Sequence, residues 1–366
     1  MAGEDTTSST LEAPPLTPLS LDSLTPHYLQ ELAERIMEAT WTAGLPQWSW
    51  GEGVYLLAEV RYWETVGKEI PQRIQQWYEG RSAITSGHIN NVAPGAAASR
   101  LHAAKVIDAT QINSNLERWI MDPQSATRAS NGAVEHWPGG VWADTCYMMG
   151  TFILNQGVVT KKTQYIEFIG DQLVAHIELL QHSHTKLFAH GSHRSETLWN
   201  YWGRGNAWMA LSAVEFLDAC DALEIAPPTL ERVKSGLRDQ LQALIPLLPD
   251  YGIWDVLVDH QVENKGILET SATAGIGAAM IRAIRHLPEM QDELDLTARR
   301  AIGAALTYVD KDGVLTRTSA GTVLQLIPFG YSVIRSDRLQ LWGQGLVLNA
   351  ITAALEPTKN IVAIRN

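Results

Sequence analysis

The sequence predicts an all-α fold, an (α/α)6 barrel or six-hairpin toroid, on three observations. Apolar residues recur at three- and four-residue spacing through about a dozen segments of similar length. Strand-like alternation is scarce, and no long Pro-rich or Ser-rich linker divides the 366 residues. Successive helical units share no consensus at a fixed period, as the repeats of a solenoid would. Length alone suggests about two domains, but the unbroken helical pattern favours one. A dozen helices taken alternately as inner and outer layers close into a double ring.

Residues 1–18 are rich in Ser, Thr, Pro and acidic groups and too polar to bury a surface, so they are expected to form a flexible N-terminal tail. The barrel domain then spans 19–366. From Leu21 onward Leu29, Leu32, Ala33 and Ile36 share one stripe, and Gly44 with Pro46 closes this first helix. The same pattern predicts helices over 52–64, 71–78, 93–104, 112–121, 142–155, 163–182, 204–223, 229–248, 269–285, 289–308 and 340–355. Loops dense in Gly, Trp, His and Asn separate them. A barrel gathers alternate loops at one end, where a pocket can form.

With 45% hydrophobic and 19% charged residues the composition is that of a globular protein. A net charge of -12, spread along the chain, disfavours nucleic acid and anionic membranes as partners. Residues 1–10 have neither the basic nor the apolar stretch of a signal peptide, and no run reaches membrane-spanning length. Cys146 and Cys220 lie inside apolar helical runs and read as core thiols rather than a disulfide. A cytoplasmic location is expected. Oligomeric state leaves no signal.

Thirteen Trp are the composition's most informative feature. Trp137, Trp142, Trp202, Trp208 and Trp254 lie beside Gly and polar residues, and indole faces suit the flat C–H faces of sugars; core packing is the alternative for each. At 135–144 a Gly-rich turn runs into an apolar helix, placing Asp144 in its first turn. Asp144 either satisfies free N–H groups there or, desolvated by an aromatic wall that raises its pKa, acts as a proton donor. Arg204 and Trp208 stand four apart on a starting helix, a planar fork and a stacking face that suit an acidic sugar or simply pack together. His182, His184, His190 and His193 cluster, but without nearby Cys or a helical HExxH spacing they are better suited to hydrogen bonding a polar ligand than to a metal. Glu269 opens another apolar helix and is either a first-turn acid or a second functional carboxyl.

Taken in order, these stretches resemble glycoside hydrolase family 105, the unsaturated rhamnogalacturonyl hydrolases, and more distantly the unsaturated glucuronyl hydrolases of family 88. The resemblance rests on HINNVAPG at 88–95, VWADTCYM at 141–148, LFAHGS at 187–192, WGRGNAW at 202–208, ETSATAGI at 269–276 and TSAGT at 318–322. It implies an (α/α)6 barrel, no cofactor and no metal. The substrate it implies is a small unsaturated oligosaccharide, from whose non-reducing end a 4,5-unsaturated uronic acid is removed by hydration of the C4–C5 bond, outside the usual two-carboxylate scheme. By the resemblance Asp144 is the acid and base, and Trp142 is the stacking aromatic. His136, His190, Arg204 and Trp208 line the subsite, with Arg204 on the uronate carboxylate, while Thr318 and Ser319 reach the rim. Asn90 stands where well-known members carry an aspartate. The competing readings are a non-catalytic glycan-binding barrel and a glucuronyl hydrolase acting on another glycan. A further alternative is an epimerase or inverting glycosidase that draws its second group from Glu269, His190 or His260.

Overall fold

Two kinds of helix alternate along the chain, and their burial tells them apart. The computed structural model describes residues 15–81 and 88–356; residues 1–14 of the expected tail, and 357–366 at the other end, lie outside the described residues. Among the described residues the helices longer than one turn are α1 (Pro26–Ala43), α2 (Trp50–Thr65), α3 (Gln72–Glu79), α4 (Pro94–Ala103), α5 (Thr110–Met121), α6 (Ala143–Thr160), α7 (Thr163–Leu180), α8 (Gly203–Leu223), α9 (Leu230–Leu244), α10 (Thr270–Ala283), α11 (Gln291–Thr307) and α12 (Leu341–Leu355). The even-numbered ones are buried on every face. In α6 every residue from Ala143 to Gly157 is buried, and in α8 all from Gly203 to Leu217. A helix with no polar face belongs inside. The odd-numbered ones keep a single buried stripe, as with Val233, Leu237, Leu241 and Leu244 of α9.

The buried helices form a closed ring in which α2, α4, α6, α8, α10 and α12 each pack on the next and α12 returns to α2. Around it α1 packs on α12, α5 on α4, α7 on α6 and α8, α9 on α8, and α11 on α10. This is the (α/α)6 barrel that the sequence predicts. Small residues allow the inner helices to approach closely: a Cβ on Gly53 would lie 2.5 Å from the backbone of Ala93 and Pro94, and one on Gly345 would lie 2.9 Å from that of Tyr55. Residues before α1 run along the end of α11, where the backbone N–H groups of Leu16 and Leu19 donate to Tyr308 Oη (2.8 Å) and Thr307 Oγ1 (3.1 Å). Among the described residues no helix is long and apolar enough to cross a membrane. Cys146 and Cys220 are buried and unpaired.

Because each inner helix returns through an outer one, all six inner N termini point to the same end of the barrel. The loops there are stitched in chain order by single bridges: Trp142 to Gly191, Trp202 to Leu257, and Asp255 to Leu268, after which Thr270 N–H donates to Arg317 O. A short hairpin of β1 (Gly191–His193) and β2 (Glu196–Leu198) rises from this ring. The opposite end is closed by ions. Arg61 of α2 reaches Glu215 of α8, across the ring, and Arg282 of α10 joins Glu215 (2.5 Å) to Asp218 (2.6 Å).

Candidate active site

Backbone pairing brings Asp144 and His190 together. Ala143 N–H donates to His190 O (2.9 Å) and Ser192 N–H to Val141 O (2.8 Å), which lays residues 141–143 beside 190–192. Gly191 permits it, since a Cβ there would fall 2.7 Å from Trp142 Cδ1. His190 Nε2 then lies 3.6 Å from Asp144 Oδ2, an ion-pair distance beyond hydrogen-bond range. Asp144 is 8% exposed, and its Oδ2 has no hydrogen-bond partner among the described residues. A carboxylate that only served the helix start would accept from first-turn N–H groups; the residue at the cap is Trp142, with no side-chain cap bond. Buried polar atoms left unsatisfied are uncommon in structural positions.

Burial pushes the Asp144 carboxyl upward, but His190 foremost, with Arg204, outweighs it and holds the group below the usual aspartate range. The expected upward shift is therefore corrected: aromatic desolvation is present, and the surrounding positive and polar groups overcome it. His136 stacks on Trp142 (4.5 Å between centroids, 6° between planes) and meets Thr145 Oγ1 at 3.2 Å. Burial drives its pKa to about 3, against the pull of Asp144, so it stands neutral. His88 lies edge-on to His136, at 5.4 Å, and opens the turn Ile89–Val92 that carries Asn90 and packs on α6.

Arg204 is fully buried, and both Nη groups of its guanidinium bond the protein, while Nε has no hydrogen-bond partner among the described residues. Nη1 donates to Glu269 Oε2 (3.2 Å), Ser271 Oγ (3.3 Å), and Ser319 O and Oγ (3.0 and 2.8 Å); Nη2 donates to Ala320 O (3.0 Å) and Thr322 Oγ1 (3.2 Å). The fork faces the loop after α11 and lies over the rings of Trp202 (4.5 Å) and Trp342 (5.6 Å). Glu269 caps α10 by accepting from Ser271 N–H (3.2 Å), and it also accepts from the Ser319 N–H and hydroxyl. The carboxylate that the sequence offered as a second functional group is thus held in place by α10 and the late loop. Thr318 is buried against Thr270, with the two hydroxyls 3.1 Å apart.

Of the loop tryptophans offered as sugar platforms, Trp202, Trp208 and Trp254 are buried in the core; Trp208 packs on Tyr147 at 4.7 Å. Trp142 is half-buried at the site and Trp137 is 49% exposed on its rim. The His cluster does not converge: His182 Nδ1 accepts from the His184 and Thr185 backbone while His190 faces Asp144, and among the described residues no three His, Cys, Asp or Glu side chains are placed to share a metal. Sequence reasoning missed Tyr331, whose hydroxyl lies 2.8 Å from His190 Nδ1, and the stacked pair Trp50 and Trp342 (4.1 Å). Neither has a local signal, since the partners lie far apart in the chain.

The sequence model of glycosyl hydrolase family 88 matches residues 27–357. An unsaturated rhamnogalacturonyl hydrolase, YesR of Bacillus subtilis, is 28% identical over 347 residues, covering 90% of this chain and 95% of that one. A possible member of the GH105 family from Salmonella enterica superposes with a TM-score of 0.78 at 22% identity, over 97% of this chain and 99% of that one. The unsaturated glucuronyl hydrolase of Bacillus sp. GL1, with a TM-score of 0.64 at 13% identity, shares the fold over 82% of this chain and 85% of its own.

Proposed function

The chain belongs to glycosyl hydrolase family 88, and from that premise we propose that it removes a 4,5-unsaturated uronic acid from the non-reducing end of short, rhamnogalacturonan-type pectin oligosaccharides by hydrating the C4–C5 double bond. The observation that carries this reading is Asp144, a buried carboxylate with an unsatisfied oxygen, 3.6 Å from His190 and two residues along the chain from the half-buried Trp142. The name of the Bacillus subtilis relative supports the substrate class. Two buried free thiols favour a reducing, cytoplasmic setting for the reaction.

In this reading Asp144 gives its proton to C4, a water adds to the cationic C5, and the proton lost by that water returns to Asp144. The hemiketal formed at C5 opens to a ketone, and the hemiacetal left at C1 expels the linked sugar. One carboxyl group therefore serves in both directions. The groups around Asp144 favour its carboxylate; the uronate's own carboxylate, entering beside it, makes that charge harder to keep and loads the proton. The six positive helix ends at this mouth favour an anionic ring. Trp142, backed by neutral His136, stacks on the sugar, and Asn90 hydrogen-bonds the substrate or water. Arg204 acts by holding Ser319, Ala320 and Thr322 of the late loop and by its charge on Asp144. Trp208 supports the floor from the core.

Asn90 favours one second reading, a barrel that binds the same glycan without turning it over. Reaction in D2O separates the two: hydration places one deuterium on C4 of the released uronate, visible by NMR. A released sugar that keeps its double bond would rule the proposal out, and binding without release would favour the second reading.

A further inference from the structure

His190 is held from its far side by a residue that no part of the mechanism above uses. Tyr331 is fully buried in the one-turn helix Phe329–Ser332, and its hydroxyl lies 2.8 Å from His190 Nδ1. The same oxygen accepts from the backbone N–H of Gln325 at 3.4 Å. A buried hydroxyl that already accepts has its own proton to place, and among the described residues His190 Nδ1 is the acceptor in reach. Nδ1 must then carry a lone pair. The imidazole proton is left on Nε2, the atom 3.6 Å from Asp144 Oδ2.

We infer that Tyr331 is a positioning residue: the chain Gln325 N–H, Tyr331 O–H, His190 fixes the tautomer that presents an N–H to Asp144. Without it the ring is free to turn or to present a lone pair to a carboxylate, which repels it. The loop that carries Tyr331 is itself fastened to the barrel. Asn200 Nδ2 donates to Gln325 O (2.9 Å), Asn264 Nδ2 donates to Pro328 O (3.0 Å), and Arg204 holds Ala320 and Thr322. A segment 141 residues distant in sequence from His190 thereby sets which of its nitrogens faces the acid.

The inference rests on the reading of Asp144 as the acid and base, and its test has one arm that does not. In wild-type protein labelled with 15N-histidine and free of ligand, the His190 side chain should show a proton on Nε2 and an unprotonated, hydrogen-bonded Nδ1. A proton on Nδ1 would overturn the inference whether or not the protein is an enzyme. In the second arm Tyr331→Phe, with the ring kept for packing, should lower kcat roughly tenfold to a hundredfold and leave KM within about twofold, since a buried acceptor loses its donor without loss of a substrate contact. The His190 resonances should lose the wild-type pattern. A variant with unchanged kcat, or with KM raised in place of lowered kcat, would contradict positioning. Failure of both proteins to turn over any unsaturated oligosaccharide would count against the proposed reaction, while the tautomer would still decide the role of Tyr331.

Discussion

Asp144 stands in a balance of charges that its neighbours set, and each neighbour can be moved. Burial favours the neutral acid; His190 and Arg204 favour the carboxylate and prevail. Asn90→Asp adds a carboxylate to the turn packed on α6, which makes ionisation of Asp144 harder. The proton is then retained to higher pH, so the alkaline limb of kcat should move upward in a pH–rate profile, and an unmoved or lowered limb would contradict the placement of Asn90. Trp142→Ala removes the face expected to carry the sugar and should raise KM by roughly tenfold, the scale of an aromatic stacking contact; steady-state kinetics with KM unchanged would exclude that contact. At this scale the sequence was only partly legible. The types and order of the motif residues pointed to Asp144 and His190, which the structure brings together through the bridge of Trp142 to Gly191. The direction of the Asp144 shift and the engagement of Arg204 were not legible, since both depend chiefly on distant partners, such as His190 for Asp144, 46 residues on, and Thr322 for Arg204, 118 residues on.

Among the elements, the seam between α2 and α12 closes the ring, and Gly345 makes it possible. A methyl group there would meet the backbone of Val54 and Tyr55 at 2.9 Å, and backbone cannot turn aside as a side chain can. Gly345→Ala should therefore destabilise the barrel by about 1–3 kcal/mol through overpacking, read as a lower urea midpoint with unchanged helix content. An unshifted midpoint would mean that the seam is looser than its geometry. Helices were the most legible feature, as apolar-all-round and one-stripe patterns both have the helical period; the expected segment 204–223 is observed as Gly203–Leu223. The hairpin β1–β2 was missed because its two central residues, Arg194 and Ser195, adopt positive φ without the Asn-Gly chemistry that announces such a turn. The one-turn helix carrying Tyr331 was too short to leave a period at all.

The molecule as a whole separates stability from chemistry along the barrel axis. At the end away from Asp144, Glu215 accepts from Arg61 and Arg282, bordering a cavity of about 380 Å3. Burial would raise the Glu215 carboxyl, but Arg282 and Arg61 outweigh it and lower its pKa from 4.5 to about 2. A depressed carboxylate stabilises the fold fully above about pH 4.5, and that contribution, on the order of 3 kcal/mol, is lost as pH falls toward about 2. Glu215→Gln should flatten part of that acid limb and, by leaving the buried Arg61 without a carboxylate and Arg282 with Asp218 alone, cost about 3–5 kcal/mol at neutral pH. Urea titrations across pH measure both, and a variant as stable as wild type would show that the network is not a brace. The opposite mouth, where six helix N termini meet Asp144, is left to the reaction. Its most direct test is the ultraviolet absorbance of lyase-generated unsaturated oligosaccharides incubated with wild type and with Asp144→Asn. The account predicts that the absorbance of the conjugated double bond falls with wild type, and at least about a hundredfold more slowly with the variant. Equal loss with both proteins, or cleavage of the saturated glycoside as fast as the unsaturated one, would contradict it.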